Sequence, residues 1–245
     1  MPLKTDSTCP SEGTLTIHYH GTPITPRIHL ESLAGASFCV SFADGRDVER
    51  CHQIGESVML DNGAFTVWRQ GGSLDVPGFW AWALPWLDCP STWAVIPDVI
   101  GGDWRETAKL ISAAPRIPRH KVAPVWHLHD PIQRLLELCD MFPRVCFGSS
   151  GQYAEVGSPI WHQRIGEAFD ALAPHHSYTL VHMLRGLQCV KAGWPYPFAS
   201  VDSTDIARNH KSYGIAPAEL RARWDGMQCP IRWTPQPKQE ALFIA

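Results

Sequence analysis

Short apolar runs with two different periods alternate along the chain. Thr14 to His20 alternates apolar and polar residues and then reaches Gly21-Thr22-Pro23, which predicts a strand and turn, one arm of an N-terminal β-hairpin. Ser37 to Phe42 is a compact apolar strand followed by Ala43-Asp44-Gly45. Helical spacing over Asp47 to Gln53 leads into Ser57-Val58-Met59-Leu60, a strand that stops at Asp61. Further strands are predicted over Thr92 to Pro97, Lys121 to Trp126, Arg144 to Phe147, Tyr178 to Leu184 and Pro197 to Val201, with a last one over Cys229 to Trp233. Helices fill the gaps. Val76 to Leu87 is rich in aromatic residues and is interrupted near Pro85. Asp103 caps a helix running to Ala114, and Asp130-Pro131 opens one running to Met141. Ser158-Pro159 opens another to Leu172; two more cover Thr204 to Tyr213 and Pro217 to Trp224.

Strand and helix in turn, with short connections, imply parallel strands covered by helices. A single (β/α)8 barrel over residues 36–245, preceded by an N-terminal arm or hairpin over 1–35, is the expected fold; an open doubly wound sheet is its rival. The chain's 245 residues suit one such barrel. It carries no internal repeat, low-complexity segment or domain linker.

Composition narrows the class. The chain is 44% hydrophobic and 18% charged, which excludes disorder. No apolar run reaches membrane-spanning length, and Met1 to Gly13 lacks the apolar core of a signal peptide, so a cytoplasmic protein without a membrane partner is expected. Eight cysteines include no C-x-x-C pair and read as buried thiols rather than a disulfide framework or zinc site. The net charge of −3 gives no general attraction to nucleic acid. Basic clusters occur at Arg116 to Lys121 and at Arg208, His210 and Lys211.

In a barrel, the C-terminal strand ends converge on one mouth. Here they carry Asp61, Asp98, His127, Gly148-Ser149-Ser150-Gly151, Leu184-Arg185-Gly186 and Asp202. One aspartate alone would read as a turn or cap residue; three from separate strands point to chemistry. A carboxylate can attack a sugar carbon while a second moves protons. A third can accept from the N–H edge of a purine, and a Gly/Ser loop can bring backbone amides to an exocyclic oxygen or phosphate.

These stretches resemble one family. Asp61-Asn62-Gly63-Ala64-Phe65 is similar to the Asp-Ser-Gly-(Gly/Ser)-Phe motif of tRNA-guanine transglycosylases, and Val201-Asp202-Ser203 to their Phe-Asp-(Cys/Ser) motif. Asp98 resembles their base-recognising aspartate in position, and the likeness runs over roughly Phe38 to Lys211. His127 stands where those enzymes usually have glutamine. Their zinc-binding cluster has no counterpart after Asp202, where only Cys229 and His210 are available, so no metal or other cofactor is expected.

The short chain looks most like the DNA-modifying, DpdA-like branch found in phages and bacterial gene clusters. The resemblance implies exchange of guanine in DNA for a free 7-deazaguanine base, such as the 7-cyano derivative, in the host cytoplasm where a phage encodes the enzyme. It implies Asp202 as nucleophile and Asp61 as proton shuttle. Asp98, His127, Phe65, Arg185 and the loop from Gly148 through Ser149 and Ser150 to Gly151 would bind the base. Arg208 and Lys211 would meet phosphates, with a protein partner able to supply further nucleic-acid surface. Asp205 is an alternative nucleophile or a helix cap and brace for Arg208; Arg185 could instead pair structurally; Trp68 or Trp126 could stack on the base or belong to the core. The same exchange on tRNA, a non-catalytic nucleobase- or nucleic-acid-binding barrel, and a glycosidase using Asp61 and Asp202 are the alternatives.

Overall fold

A computed structural model of the chain describes residues 15–235. Parallel strands and helices alternate: β1 (Ile17–Gly21), α1 (Arg27–Glu31), β2 (Ser37–Ser41), α2 (Val48–Ile54), β3 (Ser57–Asp61), then α3 (Ala64–Arg69) and α4 (Val76–Ala83). β4 (Thr92–Val95), α5 (Trp104–Ala113), β5 (Val122–Ala123), β6 (Val125–His127) and α6 (Ile132–Met141) follow. The chain continues through β7 (Arg144–Gly148), α7 (Pro159–Leu172), β8 (Leu180–Met183), α8 (Leu187–Lys191), β9 (Ser200–Ser203), α9 (Asp205–Tyr213) and α10 (Pro217–Asp225).

The described strands form one nine-stranded sheet in the order β5-β4-β3-β2-β1-β9-β8-β7-β6, with every pairing parallel. Its two ends, β5 and β6, are consecutive in the chain with only Pro124 between them. The sheet is therefore nearly closed and barrel-like. The predicted strand over Lys121 to Trp126 is split because proline has no N–H to give to a ladder. The neighbouring strands grip the run on either side: Ile96 N donates to Ala123 O at 2.9 Å, and Cys146 N to Pro124 O at 2.9 Å.

Two expectations are corrected. The segment from Ile17 is no arm of a hairpin: β1 lies between β2 and β9, parallel to both, with Tyr19 opposite Ser37 and Asp202. Its alternation looked half-exposed because of His18 and His20, yet both are buried beneath the end of α10. His18 Nε2 contacts Met227 O at 2.7 Å, and His20 Nε2 contacts Asp225 Oδ1 at 2.9 Å. The remainder of the expected arm, residues 1–14, lies outside the described residues. Cys229 to Trp233 is not a strand. The place beside β9 is taken by β1, and Trp233 instead stacks on Tyr196 with ring centroids 5.6 Å apart.

Alternation along each strand sorts side chains between two cores. Tyr19, Cys39, Met59, Trp93, Val125 and Cys146 fill the interior. Phe38, Leu60, Trp126, Phe147 and Trp161 pack the outer face against the helices. Trp126 is completely buried there, so of its two readings the core role is the one the structure shows. No helix among the described residues is long and apolar enough to cross a membrane. The seven described cysteines are all unpaired.

Candidate active site

Asp61 follows Met59 by two residues and so shares its inward face, at the C-terminal end of β3. The chain then turns sharply. Gly63 has φ 77°, a left-handed value that side chains disfavour, and a Cβ there would meet Ala43 N at 3.1 Å. Gly63 N donates to Asp61 Oδ2 at 3.1 Å, and Ala64 N to Asn62 Oδ1 at 2.8 Å. The Asn62 amide reaches across to the next strand end, donating to Ile96 O at 3.0 Å and Asp98 Oδ1 at 2.8 Å. This explains the asparagine: a serine has no second arm with which to tie the two loops.

Asp98 is buried, and its Oδ2 lies 3.0 Å from His127 Nε2 at the end of β6. The contact has ion-pair distance without the angle of a well-directed hydrogen bond, and His127 Nδ1 also lacks a partner among the described residues. Burial alone would lower the His127 pKa; the contact with Asp98 and the charges of Asp98 and Asp130 outweigh it and raise it. Asp130, expected only to open a helix, accepts from His127 N at 3.1 Å. His129 stacks on His127, with centroids 5.4 Å apart.

The loop after β7 begins at Gly148, where a Cβ would lie 2.8 Å from His127 Nδ1; only glycine leaves room for that ring. The Ser149 hydroxyl accepts from Trp161 Nε1 at 2.9 Å, so that group is held by the helix layer. Ser150 Oγ contacts His129 Nδ1 at 3.3 Å, and Gly151 is exposed with φ 57°.

Asp202 sits in β9, with its side chain 13% exposed. Its Oδ1 takes two contacts: Arg185 N donates at 2.7 Å, and His182 Nε2 lies at 3.2 Å. Arg185 has φ 57°, the one non-glycine residue with positive φ among the described residues. Such strain persists only where surroundings hold it. Here the backbone N–H is fixed by Asp202, Nη2 donates to Ser149 O at 2.7 Å, and the guanidinium lies 4.2 Å from the Phe65 ring centroid. One residue, through its backbone N–H and its side chain, thus links the strand ends of β3, β7 and β9.

Electrostatics separates the carboxyl groups. Asp61 is pushed up to about 6, mainly by burial and further by the charges of Asp202 and Asp98, against the Ser41 hydroxyl and the Gly63 amide. Asp205 is tied to its own helix: its Oδ1 accepts from Asn209 Nδ2 at 2.9 Å and Tyr213 Oη at 3.1 Å. It does not brace Arg208, which is exposed on α9, as is Lys211; neither has an ion pair among the described residues. Trp68 is 53% exposed on α3, its ring 6.0 Å from Phe65. The basic run before β5 lies at the opposite end of the barrel, where Lys121 Nζ donates to Pro90 O at 3.0 Å.

His182 was missed by sequence reasoning. It is completely buried inside the barrel, and burial lowers its pKa against the raising effect of Asp202. The signal was a lone polar residue in the apolar run Leu180 to Leu184, in step with the inward positions. A cavity of about 520 Å³ opens at the other end of the barrel beside Tyr19, Trp93 and Arg144. Among the described residues, no group of three or more His, Cys, Asp or Glu could hold a metal ion.

Fold and site together define an α/β protein whose barrel-like parallel sheet gathers three aspartates, two histidines and a Gly/Ser loop at its C-terminal strand ends. No family model matches the chain, and no curated protein matches it in sequence.

Proposed function

We propose that this protein is a base-exchange transglycosylase on a (β/α)8 barrel, replacing guanine in DNA with a 7-deazaguanine derivative. The observation that carries the reading is the pairing of Asp202 with Asp61. Asp202 has one oxygen held by two groups and Oδ2 without a partner among the described residues, while the neighbouring Asp61 carboxyl is poised near 6. A free carboxylate oxygen is a nucleophile, and a carboxyl that titrates near neutrality is an acid and then a base.

In the first half-reaction Asp202 attacks C1′ and the C1′–N9 bond breaks. Guanine leaves with the electron pair and takes a proton from Asp61. In the second, Asp61 accepts the proton from N9 of the incoming deazaguanine. N9 then bonds to C1′ and releases Asp202. Asp98 has lone pairs beyond those facing Asn62 and His127, and these suit the N1–H and 2-amino edge of a purine. Against burial, Asp98 and Asp130 raise the His127 pKa and so favour its charged form, which suits an exocyclic oxygen. The target nucleotide has to leave the duplex stack, because its C1′ and base edge are otherwise hidden.

The test is an exchange assay with double-stranded DNA, single-stranded DNA or unmodified tRNA, each mixed with 7-cyano-7-deazaguanine, followed by mass spectrometry of released nucleosides. A modified deoxynucleoside is expected, and Asp202→Ala should lower its formation by at least about 10⁴-fold, as removal of a nucleophile does. Full activity in that variant would refute the assignment of Asp202. A modified ribonucleoside would move the substrate to tRNA, and retained base binding with no exchange in the wild type would make the protein a binding barrel.

A further inference from the structure

We propose that His182, backed by Ser200, is a positioning residue that selects Oδ2 of Asp202 as the attacking atom; this rests on the transglycosylase reading. β8 and β9 pair in parallel with His182 opposite Ser200, so both side chains project into the barrel beneath Asp202. Ser200 Oγ lies 2.8 Å from His182 Nδ1, and His182 Nε2 lies 3.2 Å from Asp202 Oδ1. A carboxylate can only accept, so Nε2 carries the proton; Nδ1 is then an acceptor and the serine hydroxyl donates to it. The partners thus fix the direction of both bonds.

The ring has no other place to go. It is completely buried, with Tyr19 and Trp93 edge-on to it at centroid distances of 6.0 and 5.3 Å. The charges acting on it are Asp202 above and Arg144 on β7, which oppose each other. Burial keeps the imidazole neutral, so it donates to Asp202 without quenching the carboxylate as an imidazolium would.

The consequence lies in the order of bonds made. Oδ1 faces His182 Nε2 and Arg185 N, whereas Oδ2 has no partner among the described residues. When Oδ2 bonds to C1′, Oδ1 becomes the carbonyl oxygen of the new ester and still accepts from the same two groups. When N9 displaces the ester, the returning charge is received by donors already in place. No donor has to reorient in either half-reaction, which is the condition for electrostatic preorganisation.

The experiment follows the covalent DNA adduct in single turnover on denaturing gels, for wild type, His182→Leu, His182→Gln and Ser200→Ala, with folding verified by circular dichroism. His182→Leu should slow adduct formation about 10²-fold, the usual effect of losing one preorganised donor, with KM for the free base unchanged. His182→Gln can place an amide N–H near the position of Nε2 and should recover at least tenfold of that loss. Ser200→Ala, the gentler variant should His182→Leu not fold, should cost several-fold by releasing the tautomer. In parallel, ¹⁵N-histidine NMR of the wild type should show His182 neutral and protonated on Nε2. An Nδ1–H tautomer, or variants as fast as the wild type, would overturn the role of His182 alone. Absence of any adduct in the wild type would overturn the transglycosylase reading and this role together.

Discussion

Asp61 and His127 stand at the same mouth, and burial acts on them in opposite directions, yet both pKa values end up raised. For Asp61 burial and like charges act together, raising it to about 6; for His127 opposite charges win. An acid whose folded pKa lies above its unfolded value binds its proton more tightly in the folded state. Its contribution is therefore full below the unfolded value of 3.8 and is lost as pH rises towards 6. Asp61→Asn, which cannot ionise, should be more stable than wild type at pH 7 by about 1–2 kcal/mol once partial exposure is allowed for. The two urea midpoints should converge near pH 4. The same variant should lose exchange, and the alkaline limb of wild-type kcat/KM should fall near pH 6, because Asp61 must carry the proton that it gives to the leaving guanine. The three aspartates were legible in the sequence because each ends an apolar run. His182 was not, since its one signal, a polar residue inside an apolar run, reads equally well as a satisfied core histidine.

At the scale of elements, Gly148 and Asn62 decide whether the strand ends can meet. Gly148→Ala would drive a Cβ to 2.8 Å from His127 Nδ1. Overpacking of this kind costs about 1–3 kcal/mol, and the displaced ring should also weaken binding of the free base, measurable by calorimetry. Apolar periodicity located most strands and the longer helices, and the Asp103 cap is present as a full capping box. The short helices α1, α3 and α8 span five, six and five residues, too few to show a period. β1 and the segment after Cys229 were misjudged for a single reason. The paired, buried histidines of β1 imitated exposure, and the strand-like end of the chain was credited with a place that β1 fills.

For the whole molecule, a net charge of −3 places any attraction for phosphate in local features. Arg208 and Lys211 are exposed on the helix that follows the Asp202 strand. Replacing both with glutamate should weaken DNA binding, with the slope of log affinity against log salt shallower by about two, while binding of the free base is unchanged. Filter binding across a salt series measures the first, calorimetry the second. The strand-and-helix alternation made the α/β class readable, but how the sheet comes round on itself depends on Pro124, whose effect is tertiary. That proline leaves a seam: β5 joins β4, β6 joins β7, and no ladder joins β4 to β6. The ion pair between Asp98, beyond β4, and His127, at the end of β6, spans the gap like a staple. Because the histidine pKa is raised, the staple is fully closed below the unfolded value of 6.5 and is lost as pH rises through the folded value. Deuterium uptake along β5 and β6, corrected for intrinsic exchange, should therefore accelerate in alkali in the wild type and be equally fast in acid and alkali in His127→Leu: the two groups proposed to read a base would also govern how readily the wall around them breathes.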